Sequence, residues 1–219
     1  MLDCVFVESK WKILSALCEK ESSPIELSKK LKTTLANIST QLRLLEALGL
    51  VKKQKIPNTQ KGKPRTIFSL AKEFSYVTLV KKNYCSKKLI KLDKIDDAIF
   101  SIYFLNDSAL HYYLFKFFFM FEEVLKECES LSYLGINGND IELVVISSKK
   151  EELINKFANV AYTYNGNTRK IITFVYTIDD IKQGLNNKEA FFTGVVARSF
   201  TLYDKNNVIL PLKEILNGS

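Results

Sequence analysis

The sequence predicts an α+β chain of two unlike parts, a basic, mainly helical N-terminal module and a small C-terminal α/β layer, with a helical connector between them. Three observations carry this. Positive charge is concentrated in the first two-fifths of the chain; two helices separated by a short turn stand just before a basic hairpin; and beyond Leu131 strands and helices alternate. A chain of 219 residues has room for one large domain or two small ones. The expected limits are 1–84 for the N-terminal module, 85–108 for the connector and 109–219 for the α/β part.

The composition is that of ordinary soluble globular proteins, 47% apolar and 26% charged. Residues 1–91 hold 19 Lys/Arg against 7 Asp/Glu, a net +12, whereas residues 92–219 hold 13 against 17, a net −4. A basic module joined to a mildly acidic one points to an anionic partner, nucleic acid first, with solubility as the plain alternative. The longest apolar stretch, "LHYYLFKFFFMF", is about half the length that crosses a bilayer and carries Lys116, so no membrane partner is expected. "MLDCVFVESKWK" lacks the basic and apolar regions of a secretion signal. Cys4, Cys18, Cys85 and Cys128 are scattered, which predicts buried, reduced thiols in a cytoplasmic protein, with neither zinc nor disulfides.

The first helix is expected in "WKILSALCEK", with Trp11, Leu14, Leu17 and Cys18 on one face. "SSPIELSKKLK" supplies a second, with Ser23 as N-cap and Pro24 and Glu26 in the first turn. "TTLANISTQLRLLEALGL" supplies a third: Thr34 caps it, Ile38, Leu42, Leu45 and Leu48 recur at helical spacing, and Gly49 ends it with a left-handed cap. "LVKKQKIPN" then starts a strand, "TQKGKPR" turns, and "TIFSLA" returns.

This order of helix, helix-turn-helix and basic hairpin resembles the winged-helix DNA-binding domains of ArsR- and MarR-type transcriptional regulators. "LSKKLKTTLANISTQLRLLEALGLVKK" carries the resemblance most specifically, and it extends over residues 9–75. It implies double-stranded DNA as partner and a recognition helix at residues 34–48 entering the major groove by its N-terminal end. On a helical wheel Ile38, Leu42 and Leu45 define the core side. Ala36, Asn37, Thr40 and Arg43 lie largely opposite, with Gln41 at the border and Thr34 at the helix start. Asn37 and Gln41 have the groups to bond base edges, and Ala36 and the Thr40 methyl suit thymine methyls. Lys52, Lys53, Lys61, Lys63 and Arg65 are the expected phosphate contacts, supplying affinity without sequence information. The face is small and, apart from Arg43, uncharged. A winged helix that docks on a protein is the alternative.

In the middle, Lys87 to Tyr103 places Ile90, Ile95, Ile99 and Ile102 at approximate helical spacing. Asn106-Asp107-Ser108 is a turn and cap for "ALHYYLFKFFFMFEEVLKECESL", apolar on nearly every side and therefore either central to the C-terminal domain or part of a homodimer interface. A dimer would set two recognition helices one duplex turn apart. His111, the only histidine, reads as a packed side chain.

Beyond Leu131, "DIELVVISS" is an expected strand, "KKEELINKFANVAYTY" a helix, "RKIITFVYT" a strand and "IDDIKQGLNN" a helix. "EAFFTGVVARSFTLYD" gives a helix and a short strand, and "LPLKEIL" closes the chain. A sheet covered mainly on one side follows. This part resembles nucleotidyltransferase-fold domains through "YLGINGNDIELVVIS", "FVYTIDDI" and "ARSFTLYD", over residues 110–205. The resemblance implies a metal-binding acidic pair, and Asp140 and Glu142, two apart on a strand, project to one face. The departures matter. Gly135 is followed by Ile136 rather than serine, the "INGN" loop is short, the second acid is Glu142, and "RKIITFVYT" brings no third carboxylate. In-line displacement with two metals normally needs more ligands than this. Asp140 and Glu142 are therefore read as the vestige of a catalytic pair, with no catalysis, metal or cofactor expected.

The whole reads as a winged helix domain, a helical connector and a small α/β nucleotidyltransferase-like domain: a DNA-binding regulator whose C-terminal part serves dimerisation, sensing of a small-molecule effector, or recruitment of transcription machinery. Two alternatives stand beside it. One is an active metal-dependent nucleotidyltransferase that holds its nucleic-acid substrate with the winged helix. The other is an interaction module for the basal transcription machinery.

Overall fold

The computed structural model describes residues 8–57 and 65–218, which fall into two compact units divided after Lys91. The first unit opens with α1 (Glu8–Glu19), α2 (Pro24–Lys30) and α3 (Leu35–Ala47). Strands β1 (Val51–Ile56) and β2 (Arg65–Leu70) follow as an antiparallel hairpin, and β3 (Ser75–Lys81) and β4 (Tyr84–Ile90) as a second one. Ser22 bridges to Phe68 and extends the first hairpin towards the helices. One core cluster joins Ile13, Leu14, Leu17, Leu27, Ile38, Leu42, Leu45, Leu50, Val51 and Phe68.

The caps form where the side chains demand them. Ser23 Oγ accepts from the Glu26 amide while the Glu26 carboxylate accepts from the Ser23 amide, a complete capping box. Thr34 caps α3 by accepting from Asn37 N–H at 3.2 Å. At the other end Gly49 sits at φ +67°, with Gly49 N–H bonded to Glu46 O and Leu50 N–H to Leu45 O. That pair of bonds is a Schellman motif, and Leu50 and Leu45 bury together beneath it. The α1 face differs from expectation. Ile13, Leu14, Ala16 and Leu17 are buried, while Trp11 is 57% exposed and Cys18 is exposed.

The second unit starts with α4 (Lys94–Tyr103), α5 (Ser108–Met120) and α6 (Glu122–Leu125). Then come β5 (Ser130–Asn137), β6 (Asp140–Ile146), α7 (Lys150–Lys156), β7 (Ala161–Tyr164), β8 (Asn167–Tyr176), α8 (Ile178–Asn186), α9 (Ala190–Arg198), β9 (Phe200–Asp204) and α10 (Ile209–Gly218). The five strands form one mixed sheet in the order β7-β8-β6-β5-β9, with β6 and β8 parallel and the other pairs antiparallel. Alternation along β6 splits its side chains between two cores. Ile141, Leu143 and Val145 pack with α4 to α7, Val144 and Ile146 with α8 to α10.

The fold departs from the sequence expectation in several places. The sheet is covered on both faces, not mainly one. There is no separate connector at 85–108. Residues up to Ile90 belong to β4, and the helix starts only at Lys94, where Asp93 caps it; Ala98 and Ile102 of α4 then bury in the second unit's core. The stretch read as one helix over residues 149–164 ends at Lys156. Asn159 adopts φ +59° and Ala161–Tyr164 is a strand, because Asn165 and Gly166, both at positive φ, make the two-residue turn of a hairpin. Ser130–Asn137 is likewise a strand, turned into β6 at Gly138. Of the cysteines, only Cys128 is buried among those described; Cys18 and Cys85 are exposed, all three are free thiols, and Cys4 lies outside the described residues.

Candidate nucleic-acid interface

Lys32, at φ +49°, swings the chain from α2 into α3, and the buried Leu27, Ile38, Leu42 and Leu45 fix the angle between the two helices. The side of α3 away from this core is exposed among the described residues. Thr34, Leu35, Ala36, Thr40, Arg43 and Leu44 are exposed, and Ala36, Thr40 and Arg43 fall in one stripe at spacings of four and three. Thr40 Oγ1 donates back to Ala36 O at 3.0 Å.

Asn37 and Gln41 are placed differently. Both are half-buried, Asn37 donates to Thr33 Oγ1 and Gln41 donates to Asn37 Oδ1, each at 3.2 Å. Asn37 also lines a cleft with Glu8, Ser9, Lys12 and Leu31. These amides are engaged within the protein, and to reach base edges they would have to exchange these bonds.

The hairpin divides its cations between faces. Val51 is buried and the rest of β1 is exposed. Lys53 pairs across from Phe68 and Lys52 across from Ser69, so their side chains leave opposite faces. Arg65 begins β2, and its guanidinium is taken by Glu26 and lies 3.5 Å from Ser23 Oγ. It ties the hairpin to the start of α2. Held by the Ser23 amide and hydroxyl and by Arg65, the Glu26 carboxyl drops to about 2. Lys61 and Lys63 lie outside the described residues.

In the second unit Asp140 and Glu142 share one face of β6, both half-buried, and Asn137 Nδ2 donates to Glu142 Oε1 at 3.0 Å. Among the described residues no group of three or more metal-ligating side chains gathers, at this pair or elsewhere. Gly135, followed by Ile136 where the nucleotidyltransferase pattern has serine, lies inside β5 at a bulge opposite Glu142. His111 is packed: its Nε2 is 3.0 Å from Leu105 O and its ring meets Tyr103 edge-on. Sequence reasoning does not single out the lysines of β3 and β4; the signal was there in "VKKNYCSKKL", as lysine pairs on both sides of an Asn turn.

With this geometry in view, residues 8–53 match a known family, described as bacterial regulatory protein, arsR family. The helix-turn-helix is ArsR-like. The match spans α1 to β1 and supports a DNA-binding transcriptional regulator. No curated protein matches the chain. Among the described residues no helix is long and apolar enough to cross a membrane.

Proposed function

We propose that the protein regulates transcription by binding double-stranded DNA as a homodimer, α3 lying in the major groove and the β1–β2 hairpin on the flanking phosphates, in the cytoplasm and without catalysis. The observation that carries this is the ArsR-type match over the same residues that present a capped helix with an exposed stripe. Exposed Tyr103, Phe104, Phe119 and Met120 on and beside α4 and α5 favour pairing of two copies through that aromatic surface, as large apolar patches do in monomers that associate. The second unit, under this reading, pairs the copies, senses an effector or recruits transcription machinery.

The test is footprinting of genomic fragments at low ionic strength, with sedimentation of the free protein. Protection of a palindromic site by a dimer is expected. Arg43→Ala should relax base preference by about 1–3 kcal/mol, and Thr40→Ala by less. If no duplex is retained at low salt, the proposal is wrong. The pairing of Asp140 and Glu142 on one strand face favours a second reading, metal-dependent nucleotide transfer. Magnesium-dependent transfer that disappears in Asp140→Ala would establish it.

A further inference from the structure

The second hairpin is an extension of the DNA-binding unit that a helix-turn-helix with one wing does not require. Between Ser75 and Lys91 there are five lysines and no Asp or Glu. Leu89, with Phe74 just before β3, packs against the helical core and roots the hairpin on it. Farther out, every residue from Thr78 to Lys88 is exposed. The register sends Lys81, Tyr84 and Lys88 to one face, since Lys81 pairs with Tyr84 and Lys88 with Val77. Lys81 lies 5.0 Å over the Tyr84 ring. Lys88 is four residues from Tyr84, about 13 Å along the strand, so the two cations can meet separate phosphates. Lys82 adds a third charge at the turn. No carboxylate among the described residues pairs with Lys81, Lys82 or Lys88; Lys87 makes an interaction of its own and is left out of the set.

We infer that β3–β4 is a second nucleic-acid arm, which grips the duplex backbone outside the footprint of α3 and the first hairpin, through Lys81, Lys82 and Lys88. This rests on the DNA-binding reading above. A polyanion is the occupant that the charge selects. A second copy would set one acid-free hairpin against another, and lysines along an edge strand oppose strand addition. The exposed Leu79, Val80 and Tyr84 suit sugar and base faces at a groove edge.

The test measures log K against log salt for the full chain on one duplex, with wild type, Lys81→Gln/Lys82→Gln/Lys88→Gln, Lys82→Gln alone, and Lys52→Gln/Lys53→Gln as reference. Hydroxyl-radical footprints and sedimentation accompany it. The triple variant should lower the slope by about 2–3, roughly one per phosphate contact, weaken all sequences alike and shorten the footprint at one edge. Lys82→Gln should lower the slope by about 1 without touching a paired strand. Should wild type retain no duplex, the DNA reading itself falls and the arm with it. If wild type binds and the reference pair lowers the slope while both hairpin variants leave slope and footprint intact, the arm alone is refuted. A changed oligomeric state with an unchanged slope would also refute it and assign the surface to a second copy.

Discussion

Glu26 shows how much one carboxylate can organise. It completes the cap of α2 and holds Arg65, which lies 39 residues away in the chain. Its carboxyl falls from the usual 4.5 to about 2 in the fold, so its stabilisation is complete above pH 4.5 and is lost as pH falls towards 2. Because the group is half exposed, screening limits the effect to about 1 kcal/mol or less. Trp11, the only tryptophan, stands on α1 and reports on this unit. In urea unfolding followed by its fluorescence, Glu26→Gln should be less stable than wild type by that amount at pH 6, and the gap should close by about pH 2. The cap was legible in the sequence because Ser23, Pro24 and Glu26 are neighbours. The bond to Arg65 was not, since nothing in local pattern joins positions so far apart. The same holds for Asn37 and Gln41: periodicity placed them opposite the core and at its border, but both are half-buried and bonded within the protein.

Among the elements, legibility follows the kind of period. The helices α2 and α3 were read from spacing and caps, and Thr177 with Asp180 repeats the capping box at the head of α8. Strands β3, β4, β5 and β7 were missed, the end of β4 being taken for the start of a helix. Their turns use Asn83, Gly138 and Asn165-Gly166 at positive φ, signals that a reader following helical spacing or family motifs passes over as loop. Strands buried on both faces, such as β6, carry no alternation to betray which side is covered. Packing of α8 on α9 depends on one such unread detail. A Cβ added at Gly184 would lie 2.0 Å from the Phe192 ring. Gly184→Ala should therefore destabilise the second unit by about 1–3 kcal/mol despite its better helix propensity, as measured by thermal unfolding; Gly184→Ala with Phe192→Leu should recover part of the loss.

At the level of the whole molecule, each unit has its own buried core: one cluster within residues 1–91, and two on either side of the sheet within 92–219. Expressed separately, both fragments should unfold cooperatively on heating. Duplex binding should stay with 1–91, which carries +12, and be absent from 92–219, which carries −4. A fragment 92–219 lacking a cooperative transition in circular dichroism would show that its sheet needs the first unit.

Ala36, Thr40 and Arg43 together offer one guanidinium, one hydroxyl and two methyl groups to whatever α3 approaches. A good base contact discriminates by about 1–3 kcal/mol, whereas a genome presents on the order of 10⁶–10⁹ competing positions. Under the regulator reading, a solitary copy would spend most of its time parked on unrelated chromosome. Occupancy of a true operator would then climb steeply, not linearly, with expression level, because only two copies reading side by side accumulate enough preference to stand out.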